Sequence, residues 1–180
     1  MQAVPIDLKQ DFFQLFGLPQ RYLLDSMALE QHYRTLQAQV HPDKFAHLSE
    51  TEQRVSMQLS TRVNEAYQTL RSPLRRARYL LTLHGVDTQE ETNTSMPVEF
   101  LMQQMEWREA IEEAQRAKDM SALEALETRL QQEMHELQQQ LAGKIDTQQD
   151  YAEAAGLVRK FRFLEKLGEE IASAFDDMDS

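Results

Sequence analysis

The sequence predicts an all-α protein, and three observations favour this class over one that contains a β-sheet. The 180 residues include only five Gly and five Pro, which leaves few positions for the turns that join strands. Apolar residues recur at helical spacing wherever their spacing is regular, and no persuasive strand pattern is found. Hydrophobic residues form 41% of the chain, an ordinary share for a globular protein with a buried core. At this length we expect one medium or two small helical domains.

Composition also excludes several kinds of site. The chain has no Cys, so it can form no disulfide, no zinc–thiolate site and no iron–sulfur cluster held by its own thiolates. We therefore expect no cofactor and no metal. The first ten residues already contain Pro5, Asp7 and Lys9, and no stretch is apolar enough for a signal peptide or a transmembrane helix. We expect a cytoplasmic protein that does not bind membranes.

Charge is distributed unevenly along the chain. Residues 1–85 contain 10 Lys or Arg and 8 Asp or Glu, a net charge of +2, whereas residues 86–180 contain 9 and 22, a net charge of −13. Binding of nucleic acid needs a basic face that neutralises phosphates. The acidic second half therefore argues against that function, and the two halves are expected to have different electrostatic roles.

The first predicted helix is short and follows a loosely held lead, residues 1–10, to which we assign no function. Asp11 can cap a helix that continues through Phe16. Gly17 can adopt the left-handed conformation that ends this helix, with Pro19 just beyond it. The aromatic residues of the helix are expected to pack across the helices that follow.

Two longer helices are predicted to form an antiparallel hairpin. Asp25 is placed as the N-cap of the first, which should end at Val40 because Pro42 lacks an N–H and disfavours the α conformation at His41. Two amphipathic helices joined by a short loop form a helical hairpin. The apolar positions of the two helices are Leu29, Tyr33, Leu36 and Val40, and then Val55, Leu59, Val63, Ala66, Tyr67 and Leu70. A further helix is predicted from Ser72-Pro73 to His84-Gly85.

The loop of this hairpin contains the most informative motif of the chain, His41-Pro42-Asp43-Lys44-Phe45. Proline makes the turn stiff, and the turn exposes one imidazole and one carboxylate. By itself the motif also fits an Asx-type turn with a solvated Asp, so its meaning depends on the helices around it.

A polar run without periodicity, residues 86–96, is the predicted linker, and residues 97–180 are predicted to form an antiparallel three-helix bundle. Breaks are expected near Asp119 and from Gly143 to Asp146. Ser121 and Glu124 have the spacing of a capping box at the start of the middle helix. The apolar positions of that helix are Leu123, Leu126, Leu130, Met134, Leu137 and Leu141.

The outer helices of this bundle carry more apolar residues than one core-facing stripe requires. Phe163 lies about 200° around the last helix from Phe161 and about 100° from Leu164, so a strictly core-facing role is strained. In the first helix one stripe is Phe100, Trp107, Ile111 and Ala114, and another is Val98, Leu101, Met102 and Met105, continued by Glu106, Glu109 and Glu113. An outward apolar patch bordered by carboxylates is typical of a partner-binding surface. Burial of the second stripe in a wide bundle is an equal alternative on periodicity alone.

These features together resemble a known family. The hairpin with HPDKF in its loop, preceded by Phe12-Phe13-Gln14-Leu15-Phe16-Gly17-Leu18-Pro19, resembles a J domain. With Asn64-Glu65-Ala66-Tyr67, Phe100-Leu101-Met102 and Arg159-Lys160-x-Arg162-Phe163-Leu164, the chain is similar to the HscB family of co-chaperones from Phe12 to about Phe175. The resemblance implies a J domain over residues 11–85 and a scaffold-binding three-helix domain over residues 97–180.

The resemblance also implies two partners and two sets of contact residues. In that family the J domain docks on HscA, a chaperone of the DnaK class, and accelerates its ATP hydrolysis, while the C-terminal bundle binds IscU, the iron–sulfur scaffold. The chaperone-binding residues implied here are His41, Pro42, Asp43, Lys44 and Arg34. The scaffold-binding residues implied are Leu101, Met102, Met105, Glu106, Glu109, Glu113 and Phe163.

The sequence departs from the family pattern at a few positions. Val40 replaces the usual Tyr before HPD, and Arg34 is the only basic residue of the second helix, so Lys44, Arg34 and Arg62 would have to supply the basic docking face. Met105 replaces a common Leu, a change that conserves volume. No motif places a nucleophile, a base and an orienting group together, so we expect a regulator of a partner's ATPase and not an enzyme.

Two alternatives remain at this stage. The chain could be a generic J-domain co-chaperone for a different client, in which case an iron–sulfur scaffold would not bind the bundle. It could also be a helical interaction protein whose HPD is only a turn, in which case no DnaK-type ATPase would respond.

Overall fold

The structure is a computed structural model that describes residues 7–90 and 96–179. Over these residues it is helical and contains no strand, as predicted. By its internal contacts the chain divides into two compact units, Met1–Leu80 and Leu81–Ser180. Residues 1–6 of the predicted lead and 91–95 of the predicted linker lie outside the described residues.

The first unit contains the predicted helical hairpin. Its elements are α1 Phe12–Leu15, α2 Ser26–Val40, a 3₁₀ turn Pro42–Phe45, α3 Glu50–Arg71 and α4 Pro73–Leu83, the last of which crosses the division between the units. Helices α2 and α3 pack against each other, and the short helix α1 packs on α3. The predicted ends of the hairpin's first helix and of the helix after Ser72 are confirmed.

Short polar side chains begin these helices as the sequence indicated. Asp11 accepts a hydrogen bond from the N–H of Gln14 at 2.8 Å, and the Gln14 side chain accepts one from the N–H of Asp11 at 3.0 Å. Asp25 accepts from the N–H groups of the first turn of α2. Gly17 has φ +62, the left-handed conformation that ends α1. Each cap satisfies backbone donors that a helix start leaves without an intrahelical partner.

An aromatic cluster joins α1 to the longer helices of the first unit. The Phe12 ring stacks on Tyr79 with centroids 4.4 Å apart, and the Tyr79 hydroxyl accepts a hydrogen bond from the Phe12 N–H. The Arg62 guanidinium lies 4.6 Å from the Phe12 centroid and donates to the Gln10 carbonyl. Arg62 is therefore held against α1 by the fold, and its part in a docking face stays a prediction.

One position in the α3 stripe differs from the prediction. Val55 is 46% exposed, whereas Ser56 is 1% exposed and lies on the buried face with Val63 and Leu70. The intervals of seven between Ser56, Val63 and Leu70 keep these residues on one face. A buried hydroxyl there needs a hydrogen-bond partner, and the carbonyl of Val40 at the end of α2 supplies it.

The second unit contains the predicted bundle. Its elements are α5 Val98–Ala117, α6 Met120–Ala142, a π-helical turn Gly143–Thr147 and α7 Tyr151–Asp179. Helices α5, α6 and α7 pack against one another. Trp107 is 1% exposed, and the Arg129 guanidinium covers its ring at 4.5 Å. Among the described residues, no helix has the length and apolar character that crossing a membrane requires.

One local prediction for the bundle is wrong. The cap of α6 is Asp119, which accepts from the Ala122 N–H at 3.0 Å, so α6 begins before the Ser121 and Glu124 pair. Lys118 adopts φ +50 and makes the reversal between α5 and α6. The predicted break from Gly143 is confirmed, since α6 ends at Ala142 and the chain continues from Gly143 as a π-helical turn.

Candidate functional sites

The HPD loop, His41-Pro42-Asp43, is a compact turn at the end of α2. His41 has φ −59 and ψ 129, an extended conformation that stops the helix before Pro42. The Asp43 N–H donates to His41 Nδ1 at 3.3 Å, and the Lys44 N–H donates to the His41 carbonyl at 3.0 Å. The Asp43 side chain is nevertheless 92% exposed. The loop therefore holds its backbone in place while its carboxylate stays accessible to a partner.

Two residues of α3 hold this loop from the side. The buried Ser56 hydroxyl donates to the Val40 carbonyl at 3.0 Å, which satisfies an acceptor at the C-terminus of α2. The Gln53 side-chain amide donates to the carbonyls of Ala46 and Leu48 at 3.2 and 3.0 Å. Neither residue is among those predicted from the sequence. The signal that could have identified Ser56 is a Ser at a position of the buried stripe of α3.

The start of α3 is fixed by a capping box. Ser49 and Glu52 exchange hydrogen bonds, with the Ser49 hydroxyl 2.7 Å and the Ser49 N–H 3.0 Å from the Glu52 carboxylate. The hydrogen bond from the hydroxyl, and after it that from the backbone, holds the pKa of Glu52 below its ordinary value. The segment after the HPD loop is thereby tied to the first turn of α3.

The two basic residues of the predicted chaperone-binding set are exposed, but they differ in their contacts. Arg34 lies on α2 before the loop and forms an ion pair with Glu30 one turn earlier, so the structure does not bring it against the HPD residues. Lys44 belongs to the 3₁₀ turn, directly after Asp43. Residues 41–44 of the predicted set therefore lie together, whereas Arg34 lies apart from them on α2.

The apolar patch of α5, which we define as Val98, Leu101, Met102 and Met105, faces solvent. Its exposed fractions range from 44% for Leu101 to 69% for Val98, while Trp107 and Ile111 on the other stripe are 1% and 4% exposed. Glu106, Glu109 and Glu113, which we call the acidic border, are also exposed. Of the two readings of the second stripe, the outward one is therefore correct and burial in a wide bundle is wrong.

Phe163 is part of the core, although its helical spacing argued against a strictly core-facing role. It is 8% exposed and packs edge-to-face against Phe100, with ring centroids 5.2 Å apart. The reason is that α7 contacts both α5 and α6, so its buried arc is wider than one stripe and extends from Phe161 round to Phe163. Of the predicted scaffold-binding residues, Phe163 is thus the one placed inside the bundle, beside the exposed Leu101.

Comparison with known proteins places these features in a family. Residues 11–79 match the DnaJ domain, and residues 96–172 match the HSCB C-terminal oligomerisation domain. The co-chaperone protein HscB homolog of Azoarcus sp. (strain BH72) is 51% identical over 175 residues, which are 97% of this chain and 99% of that one. This chain belongs to the HscB co-chaperone family. The homolog of Chromobacterium violaceum is 54% identical over 172 residues, 96% of this chain and 97% of that one.

Solved structures of the family have the same fold. The chaperone HscB from Vibrio cholerae superposes with a TM-score of 0.84 at 37% identity, covering 94% of this chain and 99% of that one. The human co-chaperone protein HscB superposes with a TM-score of 0.86 at 34% identity, covering 92% and 82%. The predicted family and all-α architecture are therefore confirmed, whereas the roles of individual residues stay predictions.

Proposed function

We propose that this chain binds an IscU-type iron–sulfur scaffold through its second unit and delivers it to an HscA-type chaperone of the DnaK class. It stimulates the ATPase of that chaperone through the HPD loop and catalyses no reaction itself. The observation that carries the proposal is that both predicted contact surfaces, the HPD loop at the end of α2 and the apolar patch on α5, are exposed. Membership in the HscB family supports the choice of partners.

The HPD loop acts by presenting a fixed carboxylate. Asp43 makes a charge-assisted hydrogen bond with an arginine of the chaperone, an interaction about twice as strong as one between neutral groups. His41 and Pro42 hold the backbone that carries Asp43, because the His41 ring accepts from the Asp43 N–H. Ser56 and Gln53 support the ends of the loop through its carbonyls. The chaperone therefore meets a carboxylate whose position is set before docking.

The second unit acts by burying its apolar patch against the scaffold. Leu101, Met102 and Met105 offer side chains that lose their remaining exposure on binding, and methionine adapts to an irregular partner surface. The acidic border adds charge selectivity at the rim of the patch. With both surfaces on one chain, a bound scaffold is held at high effective concentration near the chaperone.

The test is the steady-state ATPase rate of an HscA-type chaperone, measured with and without an IscU-type scaffold. We expect stimulation by this protein, greater stimulation when scaffold is added, and loss of both with Asp43→Asn. Glu65→Gln is the matched control, since it removes one exposed carboxylate of the same unit outside the loop. His41→Gln should lose stimulation without unfolding the first unit.

Each other result contradicts one part of the proposal. Full stimulation by His41→Gln or Asp43→Asn would contradict the role of the loop. Stimulation that scaffold does not increase would leave a J-domain co-chaperone for another client. An ATPase that does not respond at all would mean that the HPD residues form only a turn.

A further inference from the structure

The second unit contains a local excess of positive charge that the proposed patch does not explain. Residues 86–180 hold only 9 Lys or Arg against 22 Asp or Glu. Four of these cations nevertheless line one open cavity of about 360 Å³ beside α5 and α7, where Glu90 is the one carboxylate among the described residues of the lining. We call this cavity the basic groove and define it by Arg108, Arg159, Arg162 and Lys166.

Two aromatic rings line the basic groove beside its cations. Phe100 and Phe163 pack edge-to-face there. The Arg108 guanidinium lies 5.9 Å from the Phe163 centroid. A carboxylate that enters the groove therefore meets guanidinium and ammonium donors next to apolar side chains, where charge-assisted hydrogen bonds are screened less than in bulk water.

The four cations differ in how far the fold already uses them. Arg159 donates through Nη1 to the Thr88 carbonyl at 3.0 Å, and Arg108 lies 3.9 Å from a Glu170 oxygen. Arg162 and Lys166 are exposed, and among the described residues neither forms an ion pair. They lie four residues apart on α7 and therefore project from the same face. These two side chains are the ones available to a ligand.

The basic groove is continuous with the apolar patch. Leu101 lines the groove and also belongs to the patch, with 44% of its surface exposed. A partner that covers Leu101 consequently reaches the edge of the groove. Residues 86–180 carry a net charge of −13, so they repel a polyanion such as nucleic acid or an anionic membrane. A short acidic segment that fits the groove meets mainly the groove cations and is not repelled in this way.

From these observations we propose that the basic groove receives a short acidic segment of the scaffold protein whose apolar surface covers the patch. The inference rests on the proposed function and deepens it, because it assigns a second, electrostatic contact to the same partner. The apolar patch then supplies burial, while Arg162 and Lys166 fix the orientation of the partner by binding its carboxylates. Scaffold surfaces that match the patch but lack acidic residues at this place bind more weakly.

The test is calorimetric titration of an IscU-type scaffold into the full-length protein and three double variants. Arg162→Gln with Lys166→Gln removes the two groove cations that form no ion pair with a described residue. Arg116→Gln with Lys118→Gln is the matched control, since it removes the same charge from exposed positions at the C-terminal end of α5 and in the turn that follows it. Leu101→Ala with Met105→Ala tests the patch. Sedimentation of each protein alone measures self-association.

We expect the groove variant to bind the scaffold about tenfold more weakly than wild type and the charge control to bind within about twofold of it. The difference should shrink at high salt, because the contact is electrostatic and partly exposed. Equal affinity of the groove variant and wild type, with weaker binding by the patch variant, would overturn this inference and leave the proposed function intact.

The remaining outcomes are also decisive. Equal weakening by the groove variant and the charge control would overturn the groove as a specific contact. A groove variant that loses self-association while it binds scaffold normally would assign the groove to a second copy of this chain and overturn the inference. Failure of the wild-type protein to bind scaffold would overturn the proposed function and this inference with it.

Discussion

Truncation of Phe163 should cost stability, whereas truncation of its exposed neighbours should not. Phe163 is 8% exposed and pairs with Phe100, so Phe163→Ala removes a buried ring and leaves a cavity. Replacement of a buried Phe by Ala costs about 3–5 kcal/mol, and we expect the lower end because the ring borders an open groove. At about 2–4 °C per kcal/mol for a chain of this size, the thermal midpoint falls by roughly 6–12 °C.

The exposed residues of the apolar patch provide the comparison for this prediction. Leu101 and Met105 are 44% and 63% exposed, so Leu101→Ala and Met105→Ala each remove little buried surface and should cost about 1 kcal/mol or less. Thermal unfolding followed by circular dichroism separates the two cases, with Phe161→Ala, at 1% exposure, as the buried reference. A midpoint for Phe163→Ala within about 2 °C of wild type would refute the packing described here.

Three further predictions concern residues of the first unit, and one of them uses Gly143 of the second unit for comparison. Ser56→Ala should cost about 1–3 kcal/mol in denaturant unfolding, since it leaves the buried Val40 carbonyl without its donor, and should weaken ATPase stimulation by disturbing the HPD loop. Gly17→Ala should lower the free energy of unfolding by roughly 1–2 kcal/mol, because Gly17 has φ +62. Gly143→Ala should not destabilise, because Gly143 has φ −61. Equal effects of the two substitutions would contradict this prediction. Burial raises the pKa of the Tyr79 phenol above its ordinary value. Because the unfolded chain loses this proton at a lower pH than the folded chain, the free energy of unfolding should fall as the pH rises above about 10. The fall should be less steep in Tyr79→Phe.

Much of the fold could be predicted from local signals. Asp11, Asp25 and Gly17 mark helix ends through short-range hydrogen bonding or backbone conformation, which do not depend on distant residues. The α5 stripes could also be separated by periodicity, because an exposed helix face and a buried one differ at fixed angular intervals. Periodicity leaves open whether the patch faces solvent, because the width of the contacts between the bundle helices decides this.

The errors arise where tertiary contacts decide a local feature. Phe163 is buried because α7 has two neighbours, and a one-stripe helical wheel allows for only one. Ser56 is buried because a carbonyl from another helix accepts its hydroxyl, a pairing that spacing along α3 cannot reveal. Asp119 caps α6 ahead of Ser121 because the reversal at Lys118 sets where the helix starts.

The basic groove follows the same reasoning, since it consists of residues from two helices that periodicity treats separately. Arg162 and Lys166 on α7 look like ordinary solvated cations in the sequence, and Arg108 on α5 looks like one residue of an acidic helix. Only the packing of α5 on α7 brings them around Phe163. An acidic domain with one basic groove discriminates by charge in two ways, because it repels polyanions in general and accepts a carboxylate at one place. That combination favours a specific protein partner over non-specific binding to nucleic acid.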